Sequence, residues 1–165
     1  MNDHRQGPET CGGCGLIIGG GSEGCRATFD RIALPTPGDN RFLPWRRLLV
    51  DTYALQHPDP FCVSATSLAA HLTGVAWIVD HPSDAAAGSD RIRRWLNSKP
   101  ALVKPPLPAS YGDVRIDALV DARDPQDIAA VVNRWAVSTW EAYAVLHPLA
   151  RDWIAQALAY RGHAR

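Results

Sequence analysis

An excess of charge of either sign is the first thing this sequence lacks. Its 165 residues carry 17 basic and 17 acidic side chains, so the formal charge is zero and the pI is near 7.0. A chain with no net field has no general attraction for phosphate backbones or anionic lipid. No nucleic-acid partner and no membrane partner are therefore expected. The sequence also lacks a run of about 18 apolar residues, which excludes a transmembrane helix. Its first ten residues, Met1-Asn2-Asp3-His4-Arg5-Gln6-Gly7-Pro8-Glu9-Thr10, are too polar to open a signal peptide. A short mobile tail over 1–10 and a cytoplasmic location are the expectation. Lysine is scarce, two residues against fifteen arginines, and no function follows from that bias.

Hydrophobic residues make up 46% and charged residues 21%, an ordinary globular composition that argues against a disordered chain or a disulfide mini-protein. Proline and glycine punctuate it into helical segments. Residues 25–34 place Phe29, Ile32 and Ala33 at helical spacing, with Ser22 as a candidate cap and Pro35 and Pro37 as the stop. Residues 42–56 repeat Leu49, Val50 and Tyr53 toward His57, and His57-Pro58 stops them. Residues 64–80, with Leu68, Leu72, Val75 and Val79 in one stripe and His71 beside it, read as the central core helix. Asp84–Gly88 reads as a loop and 90–97 as a short helix. The four prolines of 99–112 make an extended connector. Residues 116–120 are ambiguous between helix and strand. Asp124-Pro125 opens the last long helix, which His147-Pro148 kinks or restarts. The expected fold is all-α: a single-domain bundle of five or six helices over 11–165, fronted by a zinc-knuckle loop at 11–25.

The strongest chemical signal is Cys11-Gly-Gly-Cys14-Gly15, a C-x2-C turn whose glycines let backbone amides bend toward sulfur. Cys25 follows at the expected start of the first helix, where the helix dipole lowers a thiol's pKa. Cys11, Cys14 and Cys25 are candidate zinc ligands; a redox pair and unligated thiols are the alternatives. Cys62 precedes an apolar helix and reads as a buried structural thiol. The fourth ligand is sought among His57, His71, His81 and His147, with His57 the first choice. A histidine before proline can also be a plain helix-capping cation. Gly19-Gly20-Gly21-Ser22-Glu23-Gly24 matches G-x-G-x-x-G, but no second strand with a terminal acid follows, so a dinucleotide site is set aside. Asp51, His71 and His147 are candidate catalytic groups. Tyr53, Gln56, Trp135 and Trp140 are candidate lining for a pocket between helices.

Cys11-Gly-Gly-Cys14-Gly15 together with Val50-Asp51-Thr52-Tyr53-Ala54-Leu55-Gln56-His57-Pro58 resembles the bacterial family of unknown function numbered five-nine-four-six. The resemblance implies a cysteine knuckle, a later cysteine opening a helix, a histidine in an apolar helix, and a W-x4-W motif followed by histidine. Cys25, His71, Trp135, Trp140 and His147 occupy those places. Family members often carry histidine where this chain has Arg46, so that position cannot bind metal here. The family supplies site positions and no activity. Three readings follow: a structural Cys3His zinc protein, a small metal-dependent enzyme resembling the DinB-like bundles, and an interaction module with a small-molecule or protein partner.

Overall fold

The computed structural model describes residues 7–34 and 38–161. The expected tail is only partly within that range, since residues 1–6 lie outside it. Pro8–Thr10, however, forms a strand, β1, paired antiparallel with β2, Ile17–Gly19, in the register Pro8↔Gly19, Glu9↔Ile18 and Thr10↔Ile17. Those three residues are therefore held by a ladder instead of free. The knuckle is the loop of this hairpin, closed by Cys11 N–H donating to the Leu16 carbonyl at 2.7 Å and Gly15 N–H to the Cys11 carbonyl at 2.9 Å.

Seven α-helices follow among the described residues, against the five or six expected. The first, α1 (Gly21–Ala33), starts a full turn before the expected boundary. Glycine disfavours helix by about 1 kcal/mol per residue, so the local sequence argues against this start. Packing overrides it: a Cβ at Gly24 would lie 1.9 Å from the Gly19 carbonyl oxygen, so only glycine lets α1 close against β2. Ser22 accordingly sits inside the helix and caps nothing there; its Oγ accepts from Gly12 N–H at 2.9 Å. Pro35 and Pro37, the expected stop, lie outside the described residues, and α1 ends at Ala33.

The remaining helices are α2 (Arg46–Gln56), α3 (Pro58–Phe61), α4 (Ala65–Asp80), α5 (Ala85–Asn97), α6 (Pro125–Ala142) and α7 (His147–Ala159). Ser64 caps α4 through a reciprocal box with Ser67, and Asp124 caps α6 by accepting from Gln126 and Asp127 N–H, each at 2.9 Å. The expected loop at Asp84–Gly88 is instead largely the first turn of α5. Gly88, the end of the expected loop, is the point where α5 meets the Trp77 ring. As expected, α4 is central: it packs against α2, α5, α6 and α7, with Leu68, Leu72 and Val75 fully buried. The ambiguous segment is a 3-10 turn, Ile116–Leu119. No helix among the described residues is long and apolar enough to cross a membrane.

Residues 99–115 run without helix or strand, as the prolines require, and Gln56 ties them down. Its Nε2 donates to the Tyr111 and Val114 carbonyls at 3.0 and 2.8 Å, and its Oε1 accepts from Trp135 Nε1 at 2.9 Å. Gln56 and Trp135 are both buried, so each partner left unpaired costs about 1–3 kcal/mol. Gln56→Leu should therefore lower unfolding stability by about 3 kcal/mol, read as a fall in the urea midpoint. A midpoint within error of wild type would refute this role.

Candidate metal centre

The hairpin loop, α1 and the end of α2 bring Cys11, Cys14, Cys25 and His57 together, their ligand atoms all within 4.8 Å of one another. These are the four residues the sequence nominated. Cys14 and Cys25 sulfurs are 3.8 Å apart; His57 Nε2 lies 3.4 Å from Cys11 Sγ and 3.5 Å from Cys25 Sγ. A tetrahedral ion with bonds near 2.3 Å to sulfur and 2.0 Å to nitrogen has edges of about 3.8 Å between sulfurs and about 3.5 Å from sulfur to nitrogen. Three of the six edges of the donor set thus match a tetrahedral metal shell, and the remaining ones are no longer than 4.8 Å. All four residues are buried.

Local chemistry prepares these groups to ligate. His57 Nδ1 donates to the Tyr53 carbonyl at 2.8 Å, which fixes the tautomer and leaves the Nε2 lone pair facing the sulfurs. The Tyr53 ring stacks between Phe29 and His57, with centroids 3.9 Å away on each side. Its hydroxyl, pushed up by burial and so held protonated, donates to Cys25 Sγ at 3.8 Å. Tyr53 therefore locks one ligand's ring and supports another's charge. Gly13 leaves room for the imidazole, since a Cβ there would lie 2.3 Å from His57 Cδ2. Arg115 reaches back from the connector to donate to the Cys14 carbonyl, pinning the loop from outside.

Metal ligation needs thiolates, and without an ion the site favours them at Cys11 and Cys14 but not at Cys25. The Cys25 thiol beside Cys14 is the main cause that brings Cys14 down to about 4, against the opposing effect of burial; the same bond pushes Cys25 up. Burial opposes ionisation of Cys11, but amides of Cys14 and Gly13 outweigh it and its pKa is lowered. Burial opposes a charged His57 too, but contact with Cys14 and the Tyr53 carbonyl raises it overall. Cys25 lies in the second turn of α1, so the helix N-terminus expected to lower its pKa does not act on it. Cys62 stands apart: burial raises it to about 11, and its thiol donates to the Ala54 carbonyl at 3.7 Å.

The expected catalytic groups do not converge. Asp51 and His71 do meet, with His71 Nδ1 2.9 Å from Asp51 Oδ1, while Arg47 Nε lies 3.4 Å from Oδ2. His147 is engaged elsewhere: its Nε2 donates to the Trp140 carbonyl at 2.8 Å and its ring stacks on Trp140 at 3.6 Å. No hydrogen bond joins it to Asp51 or His71 among the described residues. His71 is not packed wholly among apolar residues, its side chain being 19% exposed. His81 stacks on Trp77. Of the expected pocket residues, Tyr53 borders a cleft beside the cluster, whereas Gln56 and Trp135 are the buried tie described above. Trp95 is core, whereas Trp45 is half-buried and lines an open groove with Pro44, Leu48 and Ile78. Sequence reasoning missed Arg115 and the double role of Tyr53. Arg115 is 101 positions from Cys14, and no local pattern announces such a contact.

The Asp51 carboxyl is pushed up, chiefly by burial, against the opposing pull of His71 and Arg47. A raised carboxyl holds its proton more tightly in the folded state. Its contribution to stability is therefore full below the unfolded value near 4 and is lost as pH rises through the folded value. The stability of wild type relative to Asp51→Asn should increase as pH falls through the raised folded value toward about 4 and flatten below that. Urea unfolding at a series of pH values measures it; a difference that shrinks on acidification would contradict the assignment.

Helical architecture plus a hairpin carrying Cys11 and Cys14, closed by Cys25 and His57, defines a helical protein with a buried Cys3His cluster suited to a metal ion. The chain belongs to the family of unknown function DUF5946, which matches residues 9–144. That span holds the whole cluster and stops before α7. No curated protein and no solved structure matches the chain.

Proposed function

We propose that this chain is a zinc protein whose metal is structural, joining the N-terminal hairpin and α1 to the end of α2. The observation that carries the reading is the donor set: three thiols and one imidazole within 4.8 Å of one another, all buried. Soft thiolate with imidazole suits zinc, and oxygen-preferring ions such as magnesium or calcium find no carboxylate or carbonyl shell here. Four protein ligands fill a tetrahedral ion and leave no position for water or substrate, which separates structural from catalytic zinc. The chemistry supplied is folding energy, because the unfolded chain has no preformed site. The fold agrees: the described hairpin has only three residues per strand, too little to stand alone.

Purified protein should carry one zinc ion per chain by elemental analysis. A strong chelator should lower its melting temperature and release the hairpin, seen as new proteolytic cleavage near residues 11–25. A metal-free protein that melts at the same temperature as the loaded one would overturn the reading.

A further inference from the structure

Helices α2 and α5 each pack against α4, and around their N-terminal ends the fold leaves a cleft of about 480 Å3. That lies within the roughly 300–1,000 Å3 of small-molecule sites. Its apolar surface comes from Leu48 of α2, Ile78 of α4 and Ala86 of α5, with Trp45 as an aromatic wall. It shares no residue with the metal cluster, and its chemistry is independent of the zinc reading.

Two charged residues line the cleft, Arg47 and Asp90, and both already have a partner of opposite sign. Arg47 Nε lies 3.4 Å from the buried Asp51 carboxylate, and Asp90 accepts from Arg93 at 3.0 Å. An ion entering the cleft would give up water without gaining a free counter-charge, an unfavourable exchange. Ser89 is different. It is only 7% exposed, and its hydroxyl makes no hydrogen bond among the described residues. A buried hydroxyl without a partner is costly, and a ligand that pairs with it removes that penalty. Asn133, the remaining polar residue of the lining, is exposed to water.

We propose that this cleft binds a small uncharged molecule, an aromatic ring with a short arm ending in a hydroxyl. The ring lies against Trp45, Leu48 and Ile78. The hydroxyl pairs with that of Ser89, which can both donate and accept. Acids and amines of the same shape are disfavoured, because their charge would be buried beside wall charges that are already paired.

The test is a titration of the isotope-labelled full chain, followed by amide chemical shifts. The probes share one body and differ in the head: phenethyl alcohol, phenylacetate and phenethylammonium. The alcohol should shift residues near 44–48, 78–82, 86–90 and 133, and each ion should bind at least about ten-fold more weakly. Ser89→Ala should weaken the alcohol about five-fold and leave the ions unchanged. Ala86→Trp, at an exposed position of the lining, should fill the cleft and abolish the shifts while amides elsewhere keep their positions. An ion that binds as tightly as the alcohol overturns the proposal, as does a Ser89→Ala variant that binds it unchanged. Shifts elsewhere, or none by about 10 mM, overturn it too. Metal content, measured on the same sample, reports separately on the zinc assignment.

Discussion

Replacing Cys25 with serine should give a protein that purifies without stoichiometric metal and melts well below the wild type. Cys25 is fully buried, and it is the ligand that α1 contributes to a cluster otherwise drawn from the hairpin loop and the end of α2. A serine hydroxyl stays protonated and is a poor zinc donor, so three ligands remain and the ion is open to water. Structural zinc sites supply on the order of 10 kcal/mol of apparent binding energy, comparable with the whole stability of a domain. Losing a quarter of the shell should therefore cost several kcal/mol, at least about 3. Cys62→Ser is the control. That thiol is also fully buried but only donates to the Ala54 carbonyl, a bond a hydroxyl can keep. Elemental analysis with thermal unfolding of both variants decides the matter. Equal metal content in the Cys25 variant and wild type would refute a role for this thiol.

Gly24→Ala should be nearly as damaging without touching a ligand. The added Cβ would lie 1.9 Å from the Gly19 carbonyl oxygen and 3.0 Å from its carbon, both backbone atoms of β2. A side chain can rotate away from an intruding methyl; a strand backbone must move as a unit. The hairpin then lifts from α1 and separates Cys11 and Cys14 from Cys25, one residue beyond the substitution. Overpacking of this kind costs about 1–3 kcal/mol by itself. Here the metal's contribution is lost on top of that, so the variant should lose both stability and zinc. Restoring metal content at high zinc without restoring the melting temperature would show that the two losses are separable. Full retention of both would mean that α1 and β2 do not meet as described.

These two substitutions also mark how far the sequence could be read. Cys11, Cys14 and Cys25 announce themselves because a C-x2-C turn with a third cysteine close behind has metal-ligand spacing, and His57 because proline fixes the chain just after it. Glycines made the knuckle legible at Gly12, Gly13 and Gly15, and further along concealed the start of α1. Gly21 and Gly24 look like loop residues by propensity, and their purpose appears only when the hairpin lies against them, β1 at Gly21 and β2 at Gly24. The expected loop at 84–88 has the same origin, since Gly88 is a contact point for Trp77 inside α5. Gln56 resembles a pocket residue because a polar side chain on an apolar helix invites a functional reading. Its partners lie 55, 58 and 79 positions away, a separation that local pattern cannot encode. His147 drew attention for its place after Trp140, and that proximity is its role, a ring stacked on a ring.

The most direct test of a closed Cys3His centre is X-ray absorption at the zinc edge of the purified protein. The first shell should contain three sulfurs near 2.3 Å and one nitrogen near 2.0 Å, with no further oxygen. A shell with an additional oxygen, or with fewer than three sulfurs, would contradict a closed structural site built from Cys11, Cys14, Cys25 and His57.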